Sequence, residues 1–190
     1  MPATPTHHAD AIPKATDLFW EKGFHATSMR NLQQVIDLRP GSIYASFGSK
    51  EGLFKASLLH YSQRSRDQLK AAIAQAGDPL NGLKQFVIGV LQCQSAAPSS
   101  MCMLVKSIAE LTEDQADLLA EAKRLLNVME GEFADAIRQA QTQGLISSEQ
   151  DPVRMAQRLQ VQFMGLRTYI RAHGETAQVV ELVEDLFEHL

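Results

Sequence analysis

The sequence predicts an all-α protein: a compact three-helix head followed by a six-helix body. Three observations carry this expectation. Apolar residues recur at three- and four-residue spacing along nearly the whole chain, and almost no stretch alternates as a half-buried strand would. Helix-breaking or helix-opening residues recur at helix-length intervals, at Gly23, Gly48, Gly77, Asp78-Pro79, Gly144 and Asp151-Pro152. The 190 residues are 45% hydrophobic, enough to build one or two real cores.

The elements follow in order. Ile12, Ala15, Leu18 and Phe19 set an apolar stripe on a first helix over about 10–22, which Gly23 stops. Thr27 or Ser28 caps a short second helix over about 28–36, with Leu32, Val35 and Ile36 inward. A turn at Asp37-Leu38-Arg39 leads to a third helix that Pro40 opens and Gly48 ends, because proline's missing N–H costs nothing in a first helical turn. Ser49 caps a long fourth helix, about 50–75. Asp78 and Pro79 open a fifth that runs to about 96, and the Pro98-Ser99-Ser100 break separates it from a sixth over about 101–111. Thr112 and Gln115 form a capping box for a long seventh helix that ends at Gly144. Asp151-Pro152 opens an eighth, to about 173, and a ninth fills about 175–189. The expected division is a disordered tail at 1–9, a three-helix head at 10–48 and a six-helix body at 49–190.

Charge and composition narrow the classes. The net charge of -4 is unusual for a nucleic-acid binder, but it is unevenly spread. Residues 1–60 hold six Lys/Arg against five Asp/Glu, leaving twelve against seventeen for the rest, so the head is the less acidic part. No apolar run approaches the roughly 18–20 residues that span a bilayer, and the first ten residues lack the apolar core of a signal peptide. The two cysteines, Cys93 and Cys102, make no disulfide framework. They suit a reducing cytoplasm, although a bridge between them stays open. The sequence has no Walker-type loop, GxSxG, HExxH or paired Glu-x-x-His motif. Asp185 and His189 read as a solvated face, and His7 and His8 as tail residues. The expectation is therefore a non-enzyme with no metal and no cofactor.

Two short helices joined by a tight turn and braced by a first are a helix-turn-helix arrangement, whose second helix enters the major groove of DNA. The third helix suits that task. Gly41 and Ser42 let its N-terminus and backbone N–H groups approach a phosphate, Arg39 and Ser42 supply donors, and Tyr44 reaches with a polar tip. Lys50, in the next first turn, reaches a neighbouring phosphate, whereas Ile43 and Phe47 face the head's own core.

The run ATDLFWEKGFHATSMRNLQQVIDLRPGSIYASFGSKEGLFKASL resembles the DNA-binding head of the TetR/AcrR family of transcriptional regulators. The matching marks are Phe19, Gly23-Phe24, Thr27-Ser28, Gly41-Ser42-Ile43-Tyr44, Phe47, Ser49-Lys50-Glu51 and Leu53-Phe54. The order of nine helices is similar as well. Asp37 stands where the family often has Gly, and Arg39-Pro40 where it often has Ser-Lys, so operator preference does not carry over. The resemblance places the DNA contacts at Thr27, Ser28, Arg39, Pro40, Gly41, Ser42, Tyr44 and Lys50.

The resemblance further implies a homodimer through residues 152–173 and 175–190, built on Leu159, Phe163, Leu166, Ile170, Val179, Leu182, Val183 and Leu186. Two heads would then straddle successive major grooves of a palindromic operator. The plainer alternative is that these residues fill the monomer's own core. The body of such a regulator holds a small-molecule effector. Phe86, Val90, Met103, Met129, Phe133, Phe163, Met164 and Tyr169 are the apolar candidates, and Arg167 and Arg171 the groups that hold an anion or pair elsewhere. Cys102 opens the sixth helix at a place similar to the cysteine of electrophile-sensing members. Its helix N-terminus, with Lys106 four residues on, favours a thiolate; a buried, inert cysteine is the alternative. The functional expectation is a ligand-responsive repressor that releases its operator on binding a small molecule or on modification of Cys102. A helical protein-interaction module without specific DNA binding is the rival.

Overall fold

The computed structural model describes residues 10–36, 39–93, 96–174, 178–188 and 190. The tail at 1–9 with His7 and His8, the Asp37-Leu38 turn and His189 lie outside the described residues. Among the described residues the regular structure is helical: α1 (Ala11–Lys22), α2 (Met29–Ile36), α3 (Pro40–Phe47), α4 (Lys50–Ala76), α5 (Pro79–Gln92), α6 (Met103–Glu110), α7 (Ala116–Thr142), α8 (Pro152–His173) and α9 (Val179–Glu188). No described helix is long and apolar enough to cross a membrane.

The local stop and start signals act as their chemistry demands. Gly23 and Gly48 take positive φ, and each donates its N–H back to a carbonyl four residues earlier, Phe19 and Tyr44 respectively. Asp78 and Asp151 accept from the backbone N–H groups of Asn81 at 2.8 Å and Val153 at 3.0 Å, with proline next in both cases. The choice at α2 falls to Ser28. Its hydroxyl accepts from the Asn31 N–H at 3.1 Å while Asn31 Oδ1 accepts from the Ser28 N–H at 3.0 Å. Gln115 Oε1 accepts from the Thr112 N–H and hydroxyl, and a single 3-10 turn, Glu113–Gln115, precedes α7. One helix is shorter than the periodicity suggests: α5 stops at Gln92, and the Cys93 carbonyl accepts from Ala96 and Ala97. α9 begins at Val179, and the expected start at about 175 lies outside the described residues.

The chain forms two compact units. One extends to Gln63 and takes in Met103–Leu126; the other comprises Arg64–Cys102 and Asn127–Leu190. The expected domain boundary at 48/49 falls between α3 and α4, but the boundary between compact units falls inside α4, because that helix runs unbroken from Lys50 to Ala76.

In the first unit, Leu32, Ile36, Ile43, Leu53 and Leu58 are buried around an aromatic cluster. Phe19 and Phe24 pack on Phe54 at 4.8 and 5.0 Å between ring centroids, and Trp20 meets Tyr61 edge-on at 5.0 Å. The Thr16 hydroxyl donates to the Ile12 carbonyl, so this buried polar group is paired. In the second unit, Leu83, Phe133, Ile137, Leu159 and Val183 are essentially inaccessible and lie in one apolar cluster. Phe86, Phe133 and Phe163 form a triangle with centroids 6.1–6.4 Å apart. Ion pairs tie helices at the rim, Arg66 to Glu132 at 2.6 Å and Lys84 to Glu184.

Two glycines mark where backbone or side chains approach too closely for a β-carbon. One added at Gly82 would meet the backbone of Ile73, and one at Gly23 would meet the Glu110 carboxylate. Gly23 also carries φ +87. Gly23→Ala and Gly82→Ala are each expected to destabilise the protein by about 1–3 kcal/mol, read as a lowered Tm in calorimetry. An unchanged Tm for either would mean that the close approach relaxes at no cost.

Candidate DNA interface and effector body

The candidate reading helix is built by its ends. Arg39 is extended at φ -67 and ψ 151, and its carbonyl accepts from the N–H groups of Ser42 at 2.9 Å and Ile43 at 3.2 Å, starting α3 at Pro40. Ile43 is fully buried and Phe47 half-buried, fixing one face inward. Arg39, Gly41 and Tyr44 are exposed on the other, Tyr44 at 51%, and Ser42 is half-buried. A β-carbon at Gly41 would meet nothing within 4 Å, so the head itself does not require glycine there.

Lys50 and Thr27 sit differently from the rest of the expected set. The Lys50 ammonium lies 4.2 Å from the centroid of the Phe24 ring, a cation–π contact. Burial lowers its pKa, against the opposing attraction of Glu51 and Glu110. Thr27 is buried and its hydroxyl donates to the Gly23 carbonyl at 2.6 Å. Its side chain therefore shapes the turn and is withdrawn from the surface; Ser28, one residue on, is exposed.

α6 belongs to the same unit and grips α1 by its end. Lys106 Nζ donates to the carbonyls of Trp20 at 3.1 Å and Glu21 at 2.7 Å, which the end of α1 leaves without intrahelical partners. One turn further along α6, Glu110 accepts from the Phe24 N–H. Lys106, expected to support a Cys102 thiolate, thus directs its ammonium hydrogen bonds to the α1 carbonyls. Sequence inspection missed Glu110. Its partner is 86 positions away, and no local pattern points to it.

The expected effector residues divide between the units. Phe86, Met129, Phe133 and Phe163 join one buried cluster in the second unit, with Val90 packed against it. Met103 is buried and, like Lys106, lies in the first unit. Tyr169 is 47% exposed and stacks on His173 at 4.0 Å, outside any core. Arg171 is exposed, whereas Arg167 is only 6% exposed and donates Nε–H to the Ser100 carbonyl at 3.1 Å. Cys102 is half-buried immediately before α6, Cys93 is exposed, and both are free thiols. Sequence inspection also missed Gln160, a buried polar residue three positions before Phe163 and seven before Arg167. A polar residue breaking a buried stripe at helical spacing was the available signal.

Five of the eight expected interface residues, Leu159, Phe163, Ile170, Val183 and Leu186, are buried within the single chain, so the core competes for them and largely wins. Leu166, Val179 and Leu182 remain half-buried. Beside them an open groove runs between α8 and α9, lined by Gln162, Gly165, Leu166, Tyr169, Leu182, Asp185 and Leu186.

Among the described residues the first unit presents a short, solvent-facing helix, α3, preceded by α1 and α2, the helix order of a helix-turn-helix DNA-binding unit. Residues 12–57 match the family model for bacterial regulatory proteins of the tetR family. The chain is 24% identical over 174 residues to the transcriptional repressor ComR of Escherichia coli K12, covering 90% of this chain and 83% of that protein. It is 41% identical over 63 residues to the repressor BdcR of the same strain, about a third of each. In structure it is similar to a cysteine mutant of the TetR-family regulator CifR complexed with 26-base-pair operator DNA, with a TM-score of 0.80 at 22% identity over 95% of this chain and 94% of that one. The family match lies within the first unit, and it supports reading residues 12–57 as a tetR-type DNA-binding segment.

Proposed function

We propose that the protein is a homodimeric repressor that holds a palindromic operator and releases it when its body binds a small molecule or when Cys102 is modified. The observation that carries the DNA-binding part is the exposed first half of α3, where Arg39, Gly41 and Tyr44 face solvent while Ile43 anchors the helix. Ser28, Ser42, Pro40 and Lys50 complete the contact set, and Lys50 reaches a phosphate by leaving the Phe24 ring. The relatives support repression as the outcome: ComR and BdcR are named repressors, and CifR is an operator-bound regulator.

The groove between α8 and α9 supports the dimer. Val161, Tyr169 and Val180 are exposed at 63, 47 and 44%, an apolar surface on the two helices through which the resembled family pairs. Gly165 stands in that groove with open space around it, so a second copy's backbone comes close there.

A route for release follows from the chain path. Arg167 holds the Ser100 carbonyl; two residues on, the chain passes into α6, and Lys106 and Glu110 grip the end of α1 and the turn before α2. An event at Cys102 acts on the residue immediately before α6. A ligand shifts the equilibrium only by its differential affinity for the two states of that element.

With DNA from upstream of the protein's own gene, Tyr44→Ala and Gly41→Leu are expected to weaken binding about tenfold or more, a loss of about 1.4 kcal/mol, without lowering Tm. Retained affinity in both variants would remove α3 as the reader. Val161→Glu is expected to dissociate the dimer in sedimentation while the monomer stays helical; a persistent dimer would place the interface elsewhere. Treatment with a thiol electrophile is expected to release the operator from the wild type and not from Cys102→Ser. Equal behaviour of the two proteins would make the cysteine structural.

A further inference from the structure

Two buried polar side chains of α8 are left poorly provided for by the fold. Gln160 and Arg167 are each only 6% exposed, and they flank Phe163 at i, i+3 and i+7 on one helical stripe. Gln160 Oε1 is completely buried and has no hydrogen-bond donor. Arg167 donates Nε–H to the Ser100 carbonyl, and its guanidinium carbon lies 5.9 Å from the centroid of the Phe163 ring. No carboxylate among the described residues pairs with it. Phe163 is itself the corner of the aromatic triangle with Phe86 and Phe133.

Such groups are costly to bury. An orphaned acceptor forfeits the bond it made to water, and a buried guanidinium without a counter-ion is worse. An apolar lining with a few convergent polar groups is the composition of a small-molecule site. Because Nε–H is already engaged, the terminal amino groups of Arg167 are the ones left for a bidentate anion. Arg171, four residues on, is exposed, so Arg167 is the buried guanidinium of the stripe, and one buried cation suits a monoanion, hence a carboxylate. Gln160 Oε1, as an acceptor, asks for a hydroxyl or amide N–H. The two positions are seven residues apart, about 10 Å along the helix axis, with an aromatic face between them.

We propose that Gln160, Phe163 and Arg167 form the polar edge of the effector site, and that the effector is an amphipathic monocarboxylic acid. Its carboxylate sits on Arg167, its flat apolar middle lies along Phe163, and a hydroxyl or N–H at the far end donates to Gln160. This rests on the effector-responsive reading above and adds the ligand's chemical class to it.

The test uses 4-hydroxycinnamate, whose carboxylate and hydroxyl lie at opposite ends of a flat apolar body. Its controls are its methyl ester, which lacks the charge, and cinnamate, which lacks the donor. Each is titrated calorimetrically into the full-length wild type, Gln160→Leu, Arg167→Met and Arg167→Lys, with circular dichroism confirming that each variant is folded. The acid is expected to bind the wild type at least about tenfold more tightly than the ester, and about tenfold more tightly than cinnamate. Gln160→Leu should erase the preference for the hydroxyl while keeping the preference for the acid, and Arg167→Lys should retain part of the latter even if Arg167→Met does not fold. No saturable binding of the acid to the wild type, equal affinity for acid and ester, or a hydroxyl preference that survives Gln160→Leu would overturn the proposal; in the last case the amide oxygen serves a buried water. Operator release is measured separately. An acid that binds at Arg167 without releasing DNA upholds the site and sinks the effector-responsive reading. Release by an uncharged compound with no acid binding does the reverse.

Discussion

The grip of α6 on the end of α1 organises the DNA-binding unit. A helix ends with carbonyls that have lost their donors and with a partial negative charge, and both call for a cation. Lys106 meets that need at Trp20 and Glu21, while Glu110, one turn along, serves the amide of Phe24 just past Gly23. The same carboxylate occupies the space that a side chain at Gly23 would take. Phe24 in turn packs on Phe54 and carries Lys50 on its ring. The turn before α2 is thus fixed from a helix far away in sequence, and the position of α2 and α3 depends on that turn.

This arrangement explains why the compact unit around the reading helix is larger than a three-helix head. α1–α3 are short, and their core is completed by the first half of α4, with Phe54 at its centre. α6 and the start of α7 add Met103, Leu104, Leu118 and Leu125 to the same unit's buried set. α6 therefore shares packing with α1–α3, the elements of the proposed DNA interface. No separate linker is needed, since α6 already holds α1 by hydrogen bonds.

The second unit follows a different economy. Most of its apolar residues satisfy one another, which is why so many positions on α8 and α9 that read as interface are spent on the core. What stays outside is a strip of Val161, Tyr169 and Val180 beside a shallow groove. What stays inside is polar: the unpartnered Gln160 Oε1, and Arg167, which has the Ser100 carbonyl as its hydrogen-bond acceptor. The exposed strip and the buried polar pair thus lie on different faces of the α8 and α9 layer.

The helices were legible in the chain because their causes are local. Pro40 and Gly48 bound α3, Asp78-Pro79 and Asp151-Pro152 open α5 and α8, and Thr112 with Gln115 prepares α7, each through bonds spanning four residues or fewer. The family marks lie in the same stretch. Where one residue type serves two purposes, the chain was silent. Thr27 and Ser28 are equal as caps on paper, but only packing buries the first and exposes the second. Lys106 is adjacent in helical terms to Cys102, yet the carbonyls of α1 claim it from 85 and 86 residues away. Leu159 and Val161 are both apolar on α8, and folding hides one and leaves the other at the surface. Backbone geometry and capping are decided over a turn of chain, so the sequence states them. Burial and the choice of hydrogen-bond partner depend on which distant segments pack against a residue, and only the tertiary structure decides that.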